Sequence, residues 1–158
     1  MQAAQKKEKQ ESLRRNREKW TAILMDAGWT AFPSILLERQ QALGLDAMDI
    51  NIILHLARHW WRKDEPPYPS KRIIAQCMGV SESTVQRRIA DLEKEGLIKR
   101  KYRFDPIKGQ RSNEYLFDGL IEAAIPLAKE AMEDRKQRSS RYGRKYRGLR
   151  VVEQPEED

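Results

Sequence analysis

Gly79, four residues after Ala75 and followed by apolar residues at 80, 85 and 89, is the tightest constraint on what this chain can fold into. Small Ala75 lets two helices cross closely, Gly79 supplies the positive φ of a tight turn, and Val80, Val85 and Ile89 plug the space between the helices. Beyond the turn, Val85, Ile89 and Leu92 recur at steps of four and three, and Gly96 stands where a helix normally stops. The spacing predicts a helix over 81–95. With its three aliphatics inward and 100° per residue, the opposite meridian passes through Ser83, Arg87, Ala90 and Lys94, flanked by Gln86, Thr84 and Asp91.

The rest of the chain has to fit around that pair. Asp46, with a second carboxylate at Asp49, is a good N-cap for a helix whose stripe is Ile53, Leu56, Ala57 and Trp60. A charged, proline-rich loop, RKDEPPYPS, ends it. Ser70 then caps a short helix carrying Ile73, Ile74 and Cys77. After Gly96, Ile98, Tyr102 and Phe104 alternate with Lys99, Lys101 and Arg103, a strand pattern. The turn DPIKGQRSN and the return strand EYLF, with Tyr115 and Phe117 on one face, complete a hairpin over 99–117. In GLIEAAIPLAKEAMEDRK, Pro126 removes a helical hydrogen bond and is expected to begin a second helix. Upstream, residues 1–19 have one apolar anchor, Leu13, and read as a frayed charged arm. Trp20, Ile23, Leu24 and Ala27 follow helical spacing up to Gly28, and with SILLERQQALGL they are expected to lean on the domain.

The stretches YPSKRIIAQCMGVSESTVQRRIADLEKEGLIKR and GQRSNEYLF resemble the winged helix-turn-helix domains of bacterial, plasmid and phage DNA-binding proteins, over residues 32–120. The expected fold is mostly α with a small β-hairpin: a winged helix-turn-helix domain with helical N- and C-terminal extensions. Residues 1–31 form an N-terminal arm and short helix, and residues 121–158 a C-terminal helix and basic tail. The resemblance implies that the third helix enters the major groove and the wing touches the DNA backbone. It also implies that members include transcription regulators and replication-initiation proteins.

The residues themselves support that chemistry. Arg87 can fork onto guanine O6 and N7, Gln86 can pair with adenine, and small Ser83 and Ala90 permit close approach to base edges. Arg88 points sideways towards a phosphate, and Ser81 and Thr84 sit at a helix start whose free N–H groups favour an anion. Ser70, Lys71 and Lys94 are further backbone contacts. Over residues 99–111, Lys99, Arg100, Lys101, Arg103, Lys108 and Arg111 stand against Asp105 alone, with Gly109 to turn the tip. Lys101, Arg103, Lys108 and Arg111 are the wing residues expected to grip phosphates.

Charge extends the reading to the tail. The chain has 158 residues and a net charge of +7. Residues 135–150 carry eight basic side chains and no acidic one, while residues 151–158 carry four acidic side chains. Arg141, Arg144, Lys145 and Arg147 are expected to trail along the same polyanion, with Gly143 and Gly148 keeping the segment loose.

Other chemistry lacks its parts. One cysteine, Cys77, allows neither an internal disulfide nor a thiolate zinc site. His55 and His59 lie one helical turn apart, but a metal would need further ligands. Trp60 and Trp61 read as core anchors. No nucleophile elbow, phosphate-cradling glycine loop or paired catalytic carboxylate is present, so no enzyme, cofactor or small-molecule ligand is expected. Neither a signal peptide nor a membrane-spanning stretch is evident, pointing to a cytoplasmic, nucleoid-associated protein. The expected partners are double-stranded DNA and a second copy of the chain. The function read from the sequence is site-specific repression of transcription. A plasmid- or phage-type replication initiator and a winged-helix protein-interaction module are the alternatives.

Overall fold

The computed structural model describes residues 2–146. Seven helices and one antiparallel hairpin follow in the order α1 (Gln2–Trp20), α2 (Ala22–Ala27), α3 (Ser34–Glu38), α4 (Ala47–Ala57), α5 (Lys71–Met78), α6 (Glu82–Lys94), β1 (Lys99–Asp105), β2 (Gly109–Leu116) and α7 (Asp118–Tyr146). The architecture is a winged helix-turn-helix domain extended by helices at both ends.

Local chemistry explains each start and stop. At α4 the Asp49 N–H donates to Asp46 Oδ1 at 2.9 Å and the Asp46 N–H donates to Asp49 Oδ2 at 3.1 Å, a reciprocal capping box. Ser70 and Ser81 cap α5 and α6, accepting from the N–H groups of Ile73 and Thr84. Gly79 ends α5 with φ of 67°, and the Val80 N–H closes the turn by donating to the Ala75 carbonyl. The sequence pattern is thus met: Ala75, Val85, Ile89 and Leu92 are buried, Val80 half-buried, and together with Ile52, Ile53, Leu56 and Ile74 they form the centre of the core. Of the apolar side chains on α5, Ile73 and Cys77 are exposed. The short helix can turn only two residues, Ile74 and Ala75, fully against α6.

Four further expectations are corrected. Helix α4 ends at Ala57, so Trp60 lies beyond it, and its ring stacks on Phe117 with centroids 5.2 Å apart. Trp61 is 72% exposed and anchors nothing in the core. Strand β2 begins at Gly109, leaving a turn of 106–108 only, because Asp105 Oδ1 accepts from the N–H groups of both Ile107 and Lys108 and tightens the bend. Pro126 sits inside a continuous α7. It is exposed, as is Glu122, so the carbonyl it leaves unpaired can turn to water.

The hairpin register pairs Lys99 with Leu116 and Lys101 with Glu114, then Arg103 with Arg111. Two steps on β1 therefore match three on β2, which places a bulge residue on β2 opposite Tyr102. Helix α7 closes the domain from below through Leu120, Ala124 and half-buried Leu127, and Arg135 ties it to Glu38 of α3 at 2.9 Å. Residues 2–20 form a helix rather than a frayed arm, joined to α2 by the Arg17–Asp26 ion pair. Helix α2 buries none of its residues, so the expected lean of Ile23 and Leu24 on the domain is absent.

Candidate nucleic-acid interface

Helix α6 presents the face that its periodicity predicts. Ser83, Gln86, Arg87 and Lys94 are exposed and Ala90 is half-buried, opposite the buried Val85, Ile89 and Leu92. Its N-terminus is a hydroxyl cluster. Ser81 Oγ lies 2.9 Å from Ser83 Oγ and 2.8 Å from Thr84 Oγ1, while accepting the Thr84 N–H. Gln86 is held from the neighbouring helix, its Oε1 accepting from Lys71 Nζ at 2.9 Å. Thus Lys71 both carries charge to this face and orients the amide that would read a base.

Arg88 has a different environment from the one its position suggests. Its guanidinium lies 2.8 Å from Asp46 and 3.5 Å from Asp49, joining α6 to the capping box of α4. The Asp49 N–H it accepts, with Arg88 adding to it, holds the Asp46 carboxyl below the usual range, whereas burial raises that of Asp49. Arg88 therefore braces the presented helix against α4, and contact with a phosphate would have to displace two carboxylates.

Arg100 is a second brace. Counted from sequence among the free cations of the wing, it instead pairs with Glu93 of α6 through both backbone N–H and guanidinium, the latter at 2.7 Å from Nε. That hydrogen bonding holds the Glu93 carboxyl below its ordinary value and raises Arg100. The root of the wing is thereby locked to the helix beside it.

Beyond the root, Lys101, Lys108 and Arg111 are exposed and Arg103 is half-buried. Arg103 lies over the Tyr68 ring, 4.2 Å from its centroid, and 3.5 Å from Glu114, which also faces Lys101. Arg111 pairs with Asp105 at 3.2 Å. Among the described residues Lys94, Lys99 and Lys108 face no carboxylate within ion-pair distance. A notch of about 330 Å³ joins the elements, with Ser70, Lys71, Glu82 and Arg111 around buried Asn113, whose Oδ1 has no partner. The sequence carried no signal for Asn113 or Tyr68 because both positions depend on β2 pairing with the 66–69 loop, where the Tyr115 N–H donates to the Pro67 carbonyl. Of the tail cations, Arg147 lies outside the described residues, as do the side chains of Arg141, Arg144 and Lys145.

His55 is half-buried and His59 exposed; burial, then the neighbouring Arg58 charge, lowers both imidazoles from their ordinary pKa. Among the described residues no three His, Cys, Asp or Glu side chains are grouped to hold a metal ion, and no helix is long and apolar enough to cross a membrane.

A model of the helix-turn-helix domain family matches the segment from Leu43 to Ile98, which contains α4, α5, α6 and the capping residues just described. Residues 43–98 are thus similar to a helix-turn-helix domain. Among solved structures, the N-terminal domain of DnaD protein from Geobacillus kaustophilus is similar to this chain with a TM-score of 0.52 and 21% identity, over 75% of this chain and 96% of that one. A possible transcriptional regulator from Methanosarcina mazei gives a TM-score of 0.41 at 15% identity, over 65% and 83% of the two chains. A MarR-like transcriptional regulator from Thermotoga maritima gives 0.38 at 17% identity, over 87% and 95%. No curated protein matches the sequence. The first of these likenesses shows a shared fold, and in this chain the hairpin β1–β2 follows the matched segment immediately.

Proposed function

We propose that this protein is a site-specific double-stranded DNA-binding regulator that acts in the cytoplasm without catalysis, reading bases with α6 and holding phosphates with the wing. The observation that carries the reading is the exposed face of Ser83, Gln86 and Arg87 on a helix clamped from both sides, by Arg88 to α4 and by Glu93 to the wing. A helix held this firmly can present bidentate donors without an ordering cost on binding. Residues 32–120 would be the DNA-binding unit, flanked by the arm 1–31 and the segment 121–158. Occupancy of a promoter is enough to exclude polymerase, so repression is the simplest mode of action.

Selection of bound fragments from random duplex DNA tests this. A defined consensus is expected; enrichment of no sequence would remove the base-reading role of α6. Promoter overlap of the selected sites supports repression, whereas repeats within an origin would assign the protein to replication. On the selected site, Arg87→Ala is expected to weaken binding by about 1–3 kcal/mol and relax preference at one base pair. Lys108→Ala should weaken selected and random duplexes alike. Equal losses for Arg87→Ala on both duplexes would show that Arg87 touches backbone only.

The protein is further proposed to act as a homodimer. Phe32, Ile35, Trp60, Phe117, Ile121 and Ile125 line an open apolar groove of about 580 Å³. The same chain carries exposed Trp20, Ile23, Leu24 and Trp29 on its arm. The arm is basic, with seven cations and three acids in α1, and residues 118–134 of α7 are acidic, with five acids and one lysine. A second copy offers both complements at once. Light scattering should give twice the 18.6 kDa chain mass, and Ile125→Ser combined with Trp20→Ser should return the chain to 18.6 kDa. A wild-type chain of monomer mass at micromolar concentration would refute the dimer.

A further inference from the structure

We infer that the outer half of the wing is a wedge: on a duplex held by α6, Tyr102 and Phe104 enter a neighbouring base step, unstack it and bend the DNA. This rests on the DNA-binding reading above and adds to it an activity, deformation, that phosphate contact by a wing does not require.

The hairpin changes character along its length. At the root it is core: Ile98, Tyr115 and Phe117 are buried. Further out on β1, Tyr102 is 70% and Phe104 76% exposed while Arg103 between them packs over Tyr68, and Ile107 in the turn is 93% exposed. Nothing in the described chain covers these three side chains. The bulge residue on β2 lies opposite Tyr102, where it increases the local twist and turns the outer ribbon relative to the root. Apolar residues at the end of a two-stranded ribbon are an aggregation hazard unless a partner receives them.

Charge chooses the partner. Residues 99–116 hold six cations and two acids. Both acids are already engaged, Asp105 by Arg111 and Glu114 by Lys101 and Arg103. A second wing would be repelled. What fits flat apolar rings inside a cationic rim is a surface with an apolar interior and an anionic edge, and a base step between two phosphate backbones has that form. An acidic lipid surface shares these properties. DNA is favoured because Arg100 and Glu93 lock the wing root to α6, so the wedge is held in register with the reading helix, which a lipid surface would not need.

The experiment uses the full chain and the duplex selected above, labelled at its ends for energy transfer and carrying 2-aminopurine in the flanks of the site. On binding, the 2-aminopurine emission should rise severalfold at one flanking step and the end-to-end distance should shorten. Tyr102→Ser combined with Phe104→Ser should lose both signals and bind about tenfold more weakly, in line with stacking losses at such positions. Phe104→Leu, which keeps an apolar wedge, should retain the bend. Both positions are exposed, so thermal unfolding of the variants should match that of the parent chain. Binding by the parent chain without either signal, or by the double variant with both intact, overturns the wedge and leaves the DNA reading standing. Failure of the parent chain to bind any duplex overturns both. Loss in the double variant of binding to phosphatidylglycerol vesicles, or of dimer mass, with the bend unchanged, would reassign the patch to lipid or to self-association.

Discussion

Raising monovalent salt from 50 to 200 mM is expected to weaken binding to duplex DNA by about a thousandfold, the largest effect anticipated for this protein. Six cations, Lys71, Lys94, Lys101, Arg103, Lys108 and Arg111, are proposed to meet phosphates, Lys101, Arg103 and Arg111 by exchanging the carboxylates they face; Arg88, held by Asp46 and Asp49, and Arg100, held by Glu93, are left out. Each neutralised phosphate releases condensed counterions, so six contacts give a log–log slope of roughly −5. Lys108→Ala should make the slope shallower by about 1, since this lysine has no carboxylate to fall back on. A flat titration would mean that the affinity is not electrostatic, and would favour the reading in which the winged domain uses α6 to bind another protein.

Gly119→Ala is expected to lower stability by about 3 kcal/mol and the unfolding midpoint by roughly 10 °C. A Cβ at position 119 would stand 1.8 Å from the Gly96 carbonyl oxygen and 2.9 Å from its carbon, both backbone atoms that no rotamer can move aside. The strain falls on a junction that matters. Gly96, with φ of 76°, ends α6, and the Leu120 N–H of α7 donates to the Leu97 carbonyl at 2.9 Å. To relieve the clash α7 must back away from the C-terminal end of α6, opening the packing of Leu120 and Phe117. Helix propensity alone would favour alanine by about 1 kcal/mol, so the two effects have opposite signs. Thermal unfolding of the variant at or above the parent temperature would show that this close approach is not a constraint.

The parts of the fold legible in the sequence were those set by interactions within a dozen residues. Ser70, Ser81 and the Asp46–Asp49 pair cap helices three residues away, Gly79 and Gly96 take the left-handed conformation their positions require, and Val85, Ile89 and Leu92 share one face by periodicity. The face of α6 that carries Ser83, Gln86 and Arg87 follows from the same arithmetic. Alternation set Ile98, Tyr102 and Phe104 opposite Lys99, Lys101 and Arg103, but it could not say where the body of the domain ends: Tyr102 and Phe104 are among the most exposed residues, while Arg103 is half-buried.

The sequence by itself determined the order of elements, the turn, the outward face of α6 and the surplus of cations, because each depends on short-range spacing or on composition. Only the tertiary structure decided which cations are free. Arg88 and Arg100 look like their neighbours in sequence, yet the first meets carboxylates 42 and 39 positions away and the second is drawn back onto α6 by Glu93. The same is true of Gly119, whose need to be glycine is visible only where α7 crosses the Gly96 carbonyl. Charge pairing and close backbone approach depend on distances across the fold, and those are fixed by how the core packs rather than by any local pattern.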